Sequence, residues 1–200
     1  MRVFAPGSTG WSADDLDDPK IEAAWFAGRY EIIEGVVASM PPAFFAGGKA
    51  LFELMVRVRE DFASQNHSVY FSTEVDLILS RRRVVRADAA MLTEADKSSQ
   101  SVAAAKAGRD SVKRTRLLVP PTLVIESLSP GHEAHDTEVK LPWYAEFGIP
   151  NYWIVDAFTR TLVCYRLVGN HYVIDCEGKN SDVLKPKAFP HLAISLARLW

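Results

Sequence analysis

Hydrophobic and polar positions along this chain switch between a period of two and a period near 3.6. Residues 30–40 (YEIIEGVVASM) are rich in β-branched side chains and are split by Glu34-Gly35, a pair suited to a hairpin turn; Pro41-Pro42 ends the element. Over residues 48–62, Leu51, Leu54, Met55, Val58 and Phe62 recur at helical spacing. That spacing predicts an amphipathic helix whose solvated face carries Arg57, Arg59, Glu60 and Asp61. Residues 68–80 read as a strand, Arg81-Arg82-Arg83 as a basic turn, and residues 84–92 (VVRADAAML) as a second strand. Period two places Val84, Arg86, Asp88, Ala90 and Leu92 on one side of it and Val85, Ala87, Ala89 and Met91 on the other. Asp88 is thus a carboxylate in the middle of a small, apolar strand.

Before this region, residues 1–29 read as a lead, irregular over residues 1–10, with Ser12 placed to cap a short helix carrying Asp14 and Asp15 in its first turn. After it, residues 93–116 change character. They are rich in Ala and Ser, and Lys97, Lys106, Arg109, Lys113, Arg114 and Arg116 face few acids, which predicts an exposed basic connection with one loose helix around residues 102–106. Leu123, Val124 and Ile125 then form a strand that only a buried position suits, yet Glu126 continues it before Ser127-Leu128-Ser129-Pro130-Gly131 stops it. A helix ending near Phe147-Gly148 follows, with Gly148 suited to a left-handed cap. Residues 151–157 (NYWIVDA) read as a strand, and residues 161–168 and 171–176 as a hairpin turning at Gly169-Asn170. Pro186 and Pro190 punctuate a tail that ends in a short apolar segment. The order of elements fits one α/β or α+β domain over residues 1–200.

Composition narrows the class rather than the function. Two hundred residues with 48% hydrophobic and 24% charged positions describe an ordinary globular domain, and a formal charge of −2 announces no polyanion partner. Cys164 and Cys176 show no C-x-x-C spacing, so a reducing, cytoplasmic setting is the expectation. No apolar run approaches the roughly 18 residues of a membrane span, and the acidic residues that begin at Asp14 argue against a signal peptide.

A charge set among aliphatic neighbours must find a counter-charge, a metal or a proton. Asp88 and Glu126 lie on strands that the pattern allows to be neighbours, and two carboxylates at one sheet edge are hard-oxygen ligands suited to Mg²⁺ or Mn²⁺. Lys140, four places after Asp136, lies on the next element. A metal held by Asp88 and Glu126 can activate water and neutralise phosphodiester charge, and a nearby lysine can stabilise the transition state. On Glu126 and Lys140 alone, a structural ion pair is the simpler reading. His132 and His135 with Cys164 or Cys176 make a poorer zinc site, and surface histidines with core thiols explain them better. Ser127 or Ser129 with His132 lacks a G-x-S-x-G elbow. Trp143, Tyr144, Tyr152 and Trp153 read as core, Asp156 as a turn cap, and Glu31, Glu34 and Glu53 as solvated surface acids.

Five stretches resemble the Uma family of putative restriction endonucleases, a branch of the PD-(D/E)xK nuclease superfamily. They are residues 30–37 (YEIIEGVV), 84–92 (VVRADAAML), 123–130 (LVIESLSP), 136–148 (DTEVKLPWYAEFG) and 149–156 (IPNYWIVD). The resemblance implies a restriction-endonuclease-like central mixed β-sheet flanked by helices, with an N-terminal hairpin. It implies Asp88 and Glu126 as metal ligands and Lys140 as the third catalytic residue, moved from the place held here by Leu128 to the following helix. Three positions depart from the pattern: Ala87 stands where the motif has proline, no histidine precedes the first long helix around Phe44-Phe45-Ala46-Gly47, and Pro142 follows Lys140 closely. Pro142 predicts either a helix that begins beside Lys140 or one that bends there.

The expected function is Mg²⁺- or Mn²⁺-dependent endonucleolytic hydrolysis of DNA phosphodiesters by Asp88, Glu126 and Lys140. The alternative is a catalytically degenerate module of the same fold that binds nucleic acid or a protein partner. A homodimer joined through the aromatic hairpin is a third expectation.

Overall fold

A computed structural model describes residues 2–41, 44–108 and 116–200. Helix α1 (Pro19–Ala27) precedes the hairpin of β1 (Tyr30–Ile33) and β2 (Val36–Ser39), and helix α2 (Phe45–Ser64) follows. Glu34 and Gly35 turn the hairpin with φ of 51° and 81°, as its short two-residue loop requires. The long hairpin of β3 (Val69–Ser80) and β4 (Arg83–Thr93) leads into helix α3 (Glu94–Lys106) and the two-residue strand β5 (Arg116–Leu117). Strand β6 (Leu123–Ser127), a π-helical turn (His135–Lys140) continuous with α4 (Leu141–Phe147), and β7 (Asn151–Asp156) make a parallel crossover. Strands β8 (Thr161–Val168) and β9 (His171–Lys179) complete the sheet, and β10 (Val183–Leu184) with β11 (Ile194–Ser195) form a separate pair.

Nine described strands form one mixed, mostly antiparallel sheet in the order β2-β1-β4-β6-β7-β8-β9, with β3 on the other edge of β4 and β5 beyond it. On one face α2 packs Ala50, Leu54 and Val58 against Leu123, Ile125, Trp153 and Val155. On the opposite face Tyr144 of α4 joins Val124, Tyr152 and Ile154. Alternation along β6 therefore sends Leu123 and Ile125 to one side and Val124, followed by Glu126, to the other. Gly47 marks how tightly α2 sits on β6, because a Cβ there would lie 2.3 Å from Ser127 Oγ. No helix among the described residues is long and apolar enough to cross a membrane.

One feature of this sheet positions the site. Strand β3 pairs with β4 along nearly its whole length, whereas the other edge of β4 is shared. Val84 pairs with Ile32 of β1, and Ala89 to Met91 pair with β6. Between these contacts β1 and β6 diverge, and the edge of β4 around Arg86 and Asp88 has no strand beside it. The strict alternation predicted for β4 also fails here: Ala87 and Ala90 pack in the same core cluster, while Ala89 and Met91 lie in the other. The break falls at Asp88, opposite Glu74, whose φ is 51°.

The lead over residues 1–29 carries its own core. Trp11, Leu16 and Trp25 bury against Ile32, Val37 and Val84, a cluster that the reading of this segment as a lead did not anticipate. Ser12 caps its short helix with Asp15, as expected. The connection at residues 93–116 is mostly exposed over residues 94–108, as expected, but it is helical from its start and its end at Arg116 is buried. Thr93 and Asp96 form a capping box that starts α3 at once, and Gln100 accepts from Leu118 and Val119 N–H while donating to Arg116 C=O. Arg116 is buried beside Asp76 and Glu22, not exposed. Arg109, Lys113 and Arg114 lie outside the described residues. Asp61 is likewise buried rather than solvated, and it accepts from Gln65.

Asp76 ties the lead to the sheet. It accepts from Trp25 Nε1 at 2.6 Å and from Arg86 Nε at 2.8 Å, and Arg116 Nε lies 3.6 Å away. Removing a buried charge from such a network costs about 3–5 kcal/mol. Asp76→Ala is expected to lower the urea midpoint by a corresponding amount with an unchanged slope; a midpoint equal to wild type contradicts the tie.

Candidate functional site

The unpaired stretch of β4 is completed by side chains. Arg86 N–H donates to Glu31 Oε1 at 2.9 Å, Asp88 N–H donates to Glu126 Oε2 at 3.1 Å, and Arg86 C=O accepts from Lys140 Nζ at 3.3 Å. Buried backbone groups need partners, and here charged side chains supply what a neighbouring strand would have supplied. Ser127 N–H returns a 2.8 Å bond to Asp88 Oδ2, so Asp88 and Glu126 are cross-linked through each other's strands. The two acids named from sequence therefore stand side by side.

Lys140 joins them. Its Nζ lies 3.0 Å from Glu126 Oε1, 3.1 Å from Asp136 Oδ1 and 3.3 Å from Glu31 Oε1, and the side chain is 1% exposed. Pro142 does not displace it. The helix runs as a π turn up to Lys140 and becomes α-helical at Leu141, so Pro142 occupies the first turn of α4, where its missing N–H is cheap. The wider π turn also sets Asp136 and Lys140 on one side, close enough to pair. Tyr144, one α-helical turn after Lys140, donates to Glu126 Oε1 at 2.8 Å, and Tyr152 donates to Asp136 C=O at 3.1 Å. These two tyrosines are core residues, as expected, and also fix the acids.

Two assignments are corrected. Glu31 is fully buried rather than a solvated acid, held by Lys140, by Arg86 N–H and by His135 Nε2 at 2.6 Å. His135 is accordingly a partner of Glu31 at the cleft and not a bare surface histidine. The signal for Glu31 was its place in a β-branched strand, the same one that drew attention to Glu126. The other minor candidates fall where expected: Trp153 is core, and Asp156 caps the turn by accepting from Phe158 N–H. Cys164 and Cys176 face each other across β8 and β9, whereas His132 and His135 line the cleft, so they form no common zinc site.

Charge in this cluster is unbalanced. Glu31, Asp88, Glu126 and Asp136 surround the Lys140 ammonium, while Arg86 is engaged with Asp76 and Arg29 with Glu74. Burial pushes the Glu126 carboxyl well above its ordinary value, against the pull of Lys140 and with Asp88 and Asp136 adding to the rise. Burial also raises Asp88, again opposed by Lys140. For Glu31, burial acts upward but Lys140, His135 and Arg86 N–H outweigh it and hold the group low. Burial disfavours the Lys140 charge, yet Glu126 and Glu31 more than offset this and raise it well above normal. Lys140 is therefore the fixed positive centre of the cluster.

A cavity of about 320 Å³ opens onto these groups, with Asp88, Glu126, Asp136, Lys140 and His135 in its wall. Asp88 Oδ1 accepts no hydrogen bond from the described residues, and Glu126 Oε2 accepts only one. Both are hard oxygens on acids whose ionised forms burial penalises, the donor chemistry that a divalent cation stabilises. Among the described residues no group of three or more His, Cys, Asp or Glu side chains is arranged to hold an ion. A two-carboxylate donor set suits Mg²⁺, which keeps several of its waters.

Replacing the ammonium tests the electrostatics. Lys140→Met leaves Glu31, Glu126 and Asp136 buried without their cation and is expected to cost about 3–5 kcal/mol near neutral pH. Without the Lys140 pull, burial raises the folded-state pKa values of Glu31 and Glu126 above their unfolded ones. Their stabilising contribution is present at low pH and lost as pH rises, so the deficit should shrink on acidification. A deficit independent of pH contradicts this assignment.

A family model described as Uma2, putative restriction endonuclease, matches residues 26–197. No curated protein matches the chain significantly. Among solved structures, a putative nuclease belonging to DUF820 from Anabaena variabilis ATCC 29413 is similar, with a TM-score of 0.63 and 15% identity over 85% of this chain and 88% of that one. At that identity the likeness concerns the fold.

Proposed function

The chain belongs to the Uma2 family of putative restriction endonucleases, and on that premise we propose that it is a metal-dependent endonuclease acting on DNA phosphodiesters at the Asp88–Glu126–Lys140 cleft. The observation that carries this reading is the pair of cross-linked carboxylates, each bonded to the other's strand, with an oxygen left for a cation and a buried ammonium beside them.

Asp88 and Glu126 would hold Mg²⁺ or Mn²⁺. Such a cation supplies Lewis-acid neutralisation of phosphate charge and a more acidic water. Asp88 Oδ2 is fixed by Ser127 N–H, which leaves Oδ1 oriented by the same bond. Glu126 is fixed from three directions by Lys140, Tyr144 and Asp88 N–H, so neither acid needs to reorganise to accept charge. Lys140 opposes, without overcoming, the burial that favours the neutral form of Glu126, and at the cavity wall its positive charge would stabilise a phosphate held there. Glu31 and Asp136 flank the ammonium and position it, with His135 holding Glu31.

Plasmid and oligonucleotide cleavage in Mg²⁺ and in Mn²⁺ tests the proposal. Asp88→Asn and Glu126→Gln should each lower cleavage by at least about a hundredfold, the scale of losing preorganised charge stabilisation, while circular dichroism stays that of wild type. Lys140→Ala should lose cleavage under conditions where it remains folded. Equal cleavage by wild type and all three variants contradicts the proposal. A folded wild type that binds DNA, cleaves nothing and takes up no Mn²⁺ in a calorimetric titration would instead support the degenerate binding module.

A further inference from the structure

The N-terminal half of α2 presents two adjacent stripes. Phe44, Gly48 and Leu51 line the cleft. Phe45, Lys49 and Phe52, each one residue further on and about 100° around the helix, face solvent, with Phe45 91% and Phe52 60% exposed. Phe158, in the turn after β7, is 54% exposed and meets the Phe44 ring edge-on at 5.8 Å. Phe44 thus lines the cleft with Phe158 packed on it, and Phe45 and Phe52 stand on the adjoining solvent-facing stripe. Lys49 and, beside Phe158, Arg160 are exposed and have no ion-pair partner among the described residues.

Exposed aromatic rings at this density mark a binding surface. Their occupant follows from three features. The site behind them is built for a phosphodiester, on the reading above. Lys49 lies between Phe45 and Phe52 along the same exposed stripe, so a cation for a backbone phosphate stands beside rings on which unpaired bases can stack. The cavity of about 320 Å³ is near the lower end of ligand pockets, and its apolar walls include Ile33, Met40 and Leu51. A single nucleotide suits that space and lining, whereas a base pair in a continuous duplex keeps its faces stacked and out of reach.

We propose that this chain takes unpaired DNA, with bases stacking on Phe45 and Phe52, a phosphate meeting Lys49, and one nucleotide entering the cleft past Phe44. The inference rests on the nuclease reading for the identity of the floor of the cleft. It concerns which form of the strand arrives there.

Fluorescence anisotropy in EDTA separates the two claims, because it needs neither cation nor cleavage. A labelled single-stranded 20-mer and the same strand annealed to its complement are titrated with wild type, Phe45→Ala/Phe52→Ala and Lys49→Glu. Wild type should bind the single strand at least about tenfold more tightly than the duplex, and the double phenylalanine variant should lose at least about tenfold on the single strand, the scale of stacking losses. Lys49→Glu should weaken the same binding and flatten its salt dependence. Equal or tighter binding of the duplex overturns the inference, as does single-strand binding that survives loss of both rings. Sedimentation showing a dimer that Phe45→Ala/Phe52→Ala dissolves, with DNA binding unchanged, also overturns it by assigning the patch to a second copy. Tight single-strand binding without any metal-dependent cleavage contradicts the nuclease reading alone, and preferential cleavage of duplex contradicts this inference alone.

Discussion

The divergence of β1 and β6 along one edge of β4 is the constraint from which the site follows. Two backbone N–H groups and one carbonyl, on Arg86 and Asp88, lose the strand that would have paired with them. Glu31, Glu126 and Lys140 take their place. Each of these side chains answers a backbone need, and the same need draws three charges from separate parts of the chain to one point. A buried, unsatisfied backbone group costs about 1–3 kcal/mol, so the charges are kept by the fold as well as by one another.

Charge balance then sets what the cleft can accept. One ammonium among four carboxylates leaves negative charge in a confined space. Such a cluster must hold extra protons or bind a cation. The upward shifts of Asp88 and Glu126 report the same pressure from the proton side. Exposed Phe45 and Phe52 beside an acid-floored cavity are the complementary feature: on the proposed reading, the floor would take a cation and the phosphate it neutralises, and the rings would take the bases.

Much of this arrangement was legible in the chain. Apolar spacing on α2, the Glu34-Gly35 turn and the carboxylates inside the β4 and β6 strands all follow from local rules, and Asp88, Glu126 and Lys140 do converge. Glu31 was not read as part of the site because its partners lie 104 residues away at His135 and further on at Lys140; its own strand is short and looks half-solvated. The burial of Arg116 and Asp61 depends on long-range packing that composition hides. Pro142 pointed to a bend or a fresh helix start, and the structure takes the second course: α4 begins at Leu141 with Pro142 in its first turn, and a π turn carries Lys140 into it. The strict alternation assigned to β4 failed at Asp88 because a sheet edge that splits does not keep one register on both sides.

Anomalous diffraction from crystals soaked in Mn²⁺ addresses the central claim most directly. A single strong peak within coordination distance of both Asp88 Oδ1 and Glu126 Oε2, with Lys140 Nζ still against Glu126, is the predicted result. Crystals that take up Mn²⁺ elsewhere, or that show none between these two carboxylates at saturating metal, would contradict it.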